Sequence, residues 1–305
     1  MPTLLDYRRR IRSVKSTQQI TRAMKFVSAA KLRRAQEGVY AARPYAHEIL
    51  RVLRSAAARV DSTVHPLLER RPEEKILVVV LTGDRSLAGA FNTNVIRRAI
   101  AFFREESAKK IQVVAIGKKG RDTLRKRGWN ISGEYLNLSN NVQFSAAKEI
   151  AAKIAQMYAD KEVDAVYAVY NEFKNVLVQK LRTQKLLPID PAVLKEGEAE
   201  TEDAHAPRTD VKHEEPSSPV DYIYEEPVQE IFNGLVPRYL ESEVFRILLE
   251  SAAAEHGARM TAMDAATRNA SELIDKLTLD MNKIRQASIT KELIEIVSGA
   301  ASATS

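Results

Sequence analysis

The stretch that decides the fold lies at residues 260–288 and reads MTAMDAATRNASELIDKLTLDMNKIRQAS. Its apolar and small residues recur every three or four positions, and they include Met263, Ala270, Ile274, Leu277 and Ile284. This spacing is typical of a helix that buries one narrow stripe against another helix, as in a coiled coil. The sequence therefore predicts a long C-terminal helix that needs a helical partner.

Both ends of the chain lack the residues that break helices. Between Thr3 and Arg43 the only Gly is Gly38 and there is no Pro, and after Pro237 only Gly257 precedes the Gly close to the C-terminus. We therefore predict an N-terminal helix of roughly 55 residues and a C-terminal helix of roughly 60, each about 80 to 90 Å long. Two such helices from opposite ends of one chain can pair antiparallel if the middle is compact.

The middle of the chain alternates strand and helix patterns, as a doubly wound domain does. The predicted strands are Lys75–Leu81, Ile111–Ile116, Val163–Tyr170 and Asn175–Leu186, the last turning back at Asn171–Lys174. The predicted helices are Val95–Phe103, the basic segment GKKGRDTLRKRG and Phe144–Tyr158, and YIYEEP at 222–227 could add an edge strand.

The predicted fold class is α/β, with a long antiparallel coiled coil of the N- and C-terminal helices and a central Rossmann-like domain. The predicted boundaries are 1–60 for the first helix, 61–226 for the α/β domain and 227–305 for the last helix. Within the domain, about 190–219 is acidic, contains Pro and is poor in apolar residues, which predicts a flexible insertion.

Charge is distributed unevenly along the chain, whose formal net charge is +7. Residues 1–59 carry 14 Lys or Arg against 3 Asp or Glu, whereas residues 195–226 carry 11 Asp or Glu against 3 Lys or Arg. A basic helix can serve nucleic acid, an anionic membrane or an acidic protein surface. Aromatic residues are sparse in the basic helix, which disfavours nucleic acid, although a nucleic-acid-binding protein stays an alternative.

Enzyme motifs are incomplete in the middle domain. Gly83 and Gly89 are six apart and no Gly-Lys-Ser/Thr follows, so the turn is not a P-loop, and the G-x-G-x-x-G spacing is also missing. Asp84 beside Arg85 favours a local ion pair or a turn hydrogen bond over a catalytic pair. There is no Cys, and the five His are scattered, so we expect no catalytic residue, cofactor or metal site. A Rossmann-type enzyme remains the second alternative.

The cellular location can be predicted from the distribution of apolar residues. No run of 18 or more apolar residues occurs, so no membrane-spanning helix is expected. The N-terminus lacks the apolar core of a signal peptide. We therefore expect a cytoplasmic protein.

Several long segments resemble the gamma subunit of F-type ATP synthase. They are RRRIRSVKSTQQITRAMKFVSAAKLRRAQ at 8–36, GDRSLAGAFNTN at 83–94, IGKKGRD at 116–122, YNEFKNVLVQ at 170–179 and the stretch from Pro237 to Ala301. The resemblance covers essentially the whole chain except the acidic insertion. It implies a central stalk without an active site of its own, whose coiled coil enters a ring of three alpha and three beta subunits.

The resemblance also implies the partners and the location. The alpha3beta3 hexamer, the epsilon subunit and the membrane c ring are the implied partners, with one copy of the chain in each complex and no nucleic acid. Rotation of the c ring, driven by ions, would cycle the catalytic beta subunits through ATP synthesis, and hydrolysis would drive the reverse. The implied location is peripheral, on the cytoplasmic side of the bacterial inner membrane.

Five residues match family positions that contact beta subunits. Met24 and Lys25 lie in ITRAMKFVSAAKLRRAQ, and the alternative for Met24 is a residue of the coiled-coil seam. Arg285, Gln286 and Thr290 lie in KIRQASITKEL, where the resemblance implies hydrogen bonds to a beta loop. Their alternative is ordinary helix-surface polarity.

Overall fold

The structure is a computed structural model that describes residues 3–60, 65–176, 178–190 and 227–303, with side chains as far as residue 298. The acidic segment from residue 191 onward and the predicted strand at 222–226 lie outside the described residues. In chain order the elements are α1 (Leu4–Ala57), β1 (Lys75–Leu81), α2 (Phe91–Glu105), β2 (Lys110–Ile116), α3 (Lys118–Lys126), β3 (Ile131–Tyr135), α4 (Phe144–Ala159), β4 (Ala165–Phe173), β5 (Gln179–Leu187) and α5 (Val228–Ala303).

The chain forms two compact units. One contains the residues up to Ser28 together with those from Arg259 onward, and we call it the helix-pair unit. The other runs from Ala29 to Ala258, and we call it the sheet unit. The long helices α1 and α5 pack against each other, as predicted for the fold class.

The sheet has the strand order β3-β2-β1-β4-β5, with β1 to β4 parallel and β5 antiparallel to β4. After β1 the chain continues to β2 and β3 on one side, and β4 then lies on the other side. Strand order therefore reverses between β1 and β4, which is the place where doubly wound folds bind ligands.

Helices cover both faces of the sheet, and β1 is therefore buried on both sides. Ile76, Val78 and Val80 pack with side chains of α2 and α3, including Phe103 and Leu124. The alternate residues pack on the opposite face with α4, α5 and the end of α1; this second cluster includes Leu77, Val79, Ile154, Ile247 and Leu53.

Most predicted strands and helices are confirmed within one to four residues at each end. One prediction about the sheet is wrong, and one strand was missed. The chain reverses between Phe173 and Gln179 instead of at Asn171–Lys174, because β4 continues to Phe173 and pairs there with Gln179. In addition, β3 was not predicted, since Gly133 and Glu134 interrupt any apolar run.

Helix α5 is 76 residues long, longer than predicted, because Pro237 lies inside it. A Pro leaves the carbonyl four residues earlier without its helical donor, here the carbonyl of Asn233. The His65 ring hydrogen-bonds the backbone of Asn233, and its Nδ1 accepts the Leu67 N–H at 3.1 Å. The His65 ring thus gives the Asn233 backbone a hydrogen-bond partner that Pro237 cannot provide.

Candidate subunit interface on the helix pair

Two polar contacts fix the alignment of α1 and α5 in the helix-pair unit. The hydroxyls of Thr21 and Thr267 are 2.8 Å apart, and Lys25 Nζ donates to Asp264 Oδ1 at 2.6 Å. The position on α5 falls as the position on α1 rises, so the helices are antiparallel. The paired positions sum to 288 and 289, which aligns Leu4, the first residue of α1, with residue 284 or 285 of α5.

The seam of α5 follows the spacing predicted from the sequence. Met263 and Ala270 are buried, and Ile274, Leu277 and Ile284 are partly buried. Small and hydroxyl-bearing side chains occupy the facing part of α1, where Thr21 and Ser28 are buried. Such side chains allow two helix backbones to approach closely.

The residues predicted near the beta subunits from ITRAMKF lie at the edge of this seam. Met24 is partly buried, and Lys25 is held by Asp264. The hydrogen bond that Lys25 donates lowers the pKa of Asp264. The exposed apolar residues of this segment are instead Ile20, Phe26 and Val27, with 57%, 61% and 56% exposure. Position on the helix could have found them, because they fall outside the stripe that contains Thr21 and Ser28.

The C-terminal end of α5 continues past the point where α1 begins. Arg285, Gln286 and Thr290 are all exposed there, and the Thr290 hydroxyl donates to the Gln286 carbonyl at 3.0 Å. Large apolar side chains that follow are between 50% and 68% exposed; they are Ile289, Leu293, Ile294, Ile296 and Val297.

These apolar side chains share one side of the helix. At about 100° per residue they fall within an arc of roughly 160°. Gln286 and Thr290 lie within the same arc, whereas Lys291, Glu295 and Ser298 lie opposite. Lys291 and Glu295 form an ion pair at 3.7 Å. The end of α5 therefore offers an apolar surface that carries two polar groups.

The beginning of α1 carries exposed positive charge. Arg8, Arg9, Arg10, Arg12 and Lys15 are all exposed. The helix starts with reciprocal capping, because the Thr3 N–H donates to Asp6 Oδ2 at 2.9 Å and the Asp6 N–H donates to Thr3 Oγ1 at 3.3 Å. The Thr3 N–H and the Thr3 hydroxyl both donate to the Asp6 carboxylate, and these two hydrogen bonds lower the pKa of Asp6.

In the sheet unit, the point where strand order reverses is occupied by the chain itself. Residues 82–90 follow β1 there, and the Gly83 N–H donates to Asn92 Oδ1 at 2.8 Å. A Cβ on Gly83 would lie 2.7 Å from the carboxylate of Glu255 on α5. The Glu255 side chain thus fills the space where a nucleotide phosphate would approach in a Rossmann-type enzyme.

The turn that resembled an enzyme motif is held by backbone contacts. Asp84 Oδ1 accepts the Lys118 N–H at 3.0 Å, at the first residue of α3. This contact joins the turn after β1 to a residue 34 positions along the chain, so it is a long-range hydrogen bond instead of the local one predicted for Asp84. Among the described residues, no three His, Asp or Glu side chains are grouped so that they could hold a metal ion. None of the described helices has a segment long and apolar enough to cross a membrane.

Comparison with known proteins identifies the family. A family described as ATP synthase matches residues 3–303. The gamma chain of ATP synthase from Solibacter usitatus is 53% identical over 99% of this chain and 100% of the relative. The gamma chain from Pelotomaculum thermopropionicum is 48% identical over 99% of both chains.

Solved structures agree in fold. A chain of the Euglena gracilis mitochondrial ATP synthase, OSCP/F1/c-ring, matches with a TM-score of 0.62 and 21% identity over 98% of this chain and 94% of that chain. A chain of the Tetrahymena thermophila mitochondrial ATP synthase, central stalk and c ring, matches with a TM-score of 0.57 and 24% identity over 81% and 99%. The chain therefore belongs to the ATP synthase gamma chain family.

Proposed function

We propose that the chain is the central rotor that couples ion-driven rotation of a membrane c ring to conformational cycling of catalytic beta subunits. It makes ATP in one direction and pumps ions by hydrolysis in the other. Its partners are one alpha3beta3 hexamer, an epsilon subunit and the c ring. It acts on the cytoplasmic side of the bacterial inner membrane as a peripheral subunit.

The observation that carries this proposal is the exposed apolar end of α5. Residues 286–298 have no facing segment of α1, because α1 begins opposite residue 284 or 285. An apolar arc of five large side chains is costly to leave in water, at about 25 cal/mol per Å2 of exposed apolar surface. A ring of alpha and beta subunits supplies a surface that covers it.

Three polar residues near this end are the proposed hydrogen-bonding contacts with a beta loop. Arg285, Gln286 and Thr290 are exposed, and a guanidinium can bind a carboxylate through two parallel hydrogen bonds. Met24 and Lys25 contribute at a second level on the helix pair. Since Asp264 holds Lys25, we propose that Lys25 shapes the surface on which the exposed Phe26 lies.

The chain has no active site of its own in this proposal. The carboxylate of Glu255 at the point of strand reversal disfavours nucleotide phosphates there. Its work is instead to stabilise different beta conformations in turn. Shifting a two-state equilibrium from 1:99 to 99:1 takes about 5.5 kcal/mol, so many contacts must act together.

We also propose that different parts of the chain form the shaft and the foot of the rotor. Residues 1–60 and 227–305 form the shaft, and residues 61–226 form the foot that meets epsilon and the c ring.

The test is purification of a tagged chain from its native membranes, followed by ATPase assays on the complex and on the isolated chain. We expect alpha, beta and epsilon subunits to co-purify and the ATPase to be confined to the complex. Nucleotide turnover by the isolated chain would instead support a Rossmann-type enzyme. Recovery with nucleic acid, with affinity that falls steeply with salt, would support a nucleic-acid-binding protein.

A further inference from the structure

A network of charged and polar side chains joins α5 to the sheet within the sheet unit. Arg246 on α5 donates to Glu243 Oε2 at 2.8 Å and to Glu250 Oε1 at 2.7 Å. The same guanidinium donates to Gln184 Oε1 on β5 at 3.1 Å. Gln184 also donates to Glu243 Oε2 at 3.2 Å, and its Oε1 accepts the Tyr170 hydroxyl of β4 at 2.8 Å. Helix and sheet are thus linked by a closed set of hydrogen bonds.

This network is not expected to add much to the stability of the fold. The side chains of Glu243 and Glu250 keep only 19% and 15% of their surface exposed, and that of Arg246 keeps 33%. Glu250 Oε2 is buried and has no hydrogen-bond partner among the described residues. Replacing partly buried ion pairs by apolar groups of similar size is often neutral or stabilising, because desolvation offsets the attraction.

The network adds contacts that depend on the orientation of α5. Elsewhere α5 meets the sheet through apolar side chains, among them Val244, Ile247 and Leu248. Apolar burial is non-directional and tolerates a small rotation of the helix about its own axis. Hydrogen bonds weaken steeply when the angle at hydrogen falls towards 120°. A rotation of about 20° moves an atom about 6 Å from the helix axis by roughly 2 Å, which breaks such contacts.

A second directional contact links the same two elements further along. Gln179 Nε2, at the first residue of β5, donates to the Ala254 carbonyl of α5 at 2.8 Å. Arg246 and Ala254 are eight residues apart, or about 12 Å along the helix. Strand β5 therefore holds α5 at two levels, which opposes rotation and tilting together.

We propose that Arg246 and Gln184 are positioning residues that lock α5 rotationally to the sheet, so that torque passes between the foot and the shaft without slip. This inference rests on the proposed rotor function and deepens it. An apolar interface would hold the helix in place, but a loaded shaft also needs an interface that resists twisting. The Arg246–Gln184 bridge supplies that resistance at the attachment of α5.

The test uses the assembled alpha3beta3 complex with this chain, anchored through its beta subunits, and a probe on the sheet unit. The chain has no Cys, so Arg97→Cys, on the exposed side of α2, gives a single attachment point. Angular fluctuations of the probe during catalytic pauses report torsional stiffness. We expect the angular variance to rise roughly twofold in Gln184→Leu, because directional bonds between β5 and α5 are lost.

Two further variants separate a lock from a merely structural ion pair. Gln184→Leu leaves the bonds of Arg246 to Glu243 and Glu250 intact, so a role confined to α5 predicts no change in variance. The angular variance of Arg246→Met should match that of Gln184→Leu. The variance of Arg246→Lys should lie between those of the parent chain and Arg246→Met, because Lys keeps the charge but lacks the planar guanidinium. Arg238→Met, exposed two turns earlier on α5, is the matched control and should leave the variance unchanged.

Unchanged variance in Gln184→Leu and Arg246→Lys, in complexes that rotate normally, overturns the lock. If Arg246→Met does not assemble, the other two variants still decide. A parent chain that neither assembles with alpha and beta subunits nor rotates refutes the rotor function itself. The two failures are therefore distinguishable.

Discussion

At the scale of single residues, Gly117 leaves no room for a side chain. It links β2 to α3 with φ of 91°, and a Cβ there would lie 2.0 Å from the Thr82 carbonyl oxygen. Gly128 also has positive φ, 81°, but an added Cβ would meet nothing within 4 Å. Substitutions at these two glycines therefore separate the cost of positive φ, which both positions share, from the cost of a steric clash, which only Gly117 has.

We predict that Gly128→Ala lowers the free energy of unfolding by about 1 to 2 kcal/mol, the usual cost of positive φ for an L-residue. Gly117→Ala should lose at least about 2 kcal/mol more, because the carbonyl cannot move aside within a buried sheet. Chemical denaturation of both variants measures the difference. Equal losses would contradict the clash.

At the same scale, His65 makes stability depend on pH. Burial lowers the pKa of His65 below its ordinary value of 6.5, and its bond to Asn233 only partly offsets this. A lowered pKa in the folded state means that the unfolded chain binds the proton more tightly. The stability is therefore present above about pH 6.5 and is lost as the pH falls below it.

We predict that the thermal midpoint of the parent chain falls more between pH 7.5 and pH 5.5 than that of His65→Gln, which cannot titrate. Protonation would remove the Nδ1 acceptor of the Leu67 N–H. The exposed His47→Gln is the control and should follow the parent. A parallel pH profile for His65→Gln would show that His65 does not contribute.

At the scale of elements, the helix pair carries hydroxyls in its seam where apolar residues would be expected. The hydroxyls of Thr21 and Thr267 are 2.8 Å apart, so one of them donates to the other. The hydroxyl that accepts keeps its own proton for a backbone carbonyl of its helix, that of Gln18 at 3.0 Å from Thr21 or that of Met263 at 2.7 Å from Thr267. A polar pair in a seam specifies alignment at some cost in stability.

We predict that Thr21→Val and Thr267→Val each cost about 0.5 to 1.5 kcal/mol, because each leaves its partner with a hydrogen bond unmade. The double variant should be close to neutral, since two apolar groups of similar shape then face each other. A double-mutant cycle measured by chemical denaturation gives the coupling. Strict additivity of the two single losses would contradict a direct interaction.

The sequence predicted elements well where a pattern is local. The run KILVVVL gives β1, and the three- or four-residue spacing gives the seam of α5. Strand β3 was missed because it is extended only through its pairing with β2, where Gly133 lies opposite Val114. Local patterns also could not show which residue of α5 faces a given residue of α1, so the pairing of Lys25 with Asp264 appears only in the structure.

At the scale of the whole molecule, the apolar end of α5 should determine assembly. We predict that Leu293→Glu weakens binding of the chain to alpha and beta subunits by on the order of 30-fold, because burying an unpaired carboxylate in place of an apolar side chain costs at least about 2 kcal/mol. Affinity of the purified subunits measures it.

The matched control for that variant is Ser298→Glu, which adds the same charge on the opposite side of the same helix. Ser298 is exposed, and its hydroxyl donates to the Ile294 carbonyl. We expect its affinity to stay within about threefold of the parent, since an exposed charge changes the interaction by less than about 1 kcal/mol. An equal loss in both variants would mean that net charge governs binding instead of the apolar arc.

The apolar arc also has a consequence for symmetry. A ring of three identical alpha–beta pairs has a threefold axis, and a cylinder that is apolar all round would leave its three positions equivalent. A single helix end with an arc of roughly 160° has no rotational symmetry. Inserted on the axis, it faces one position with hydrocarbon and another with Lys291 and Glu295. If the chain is the proposed rotor, the spacing of a few residues in the last part of α5 would make three chemically identical catalytic subunits unequal.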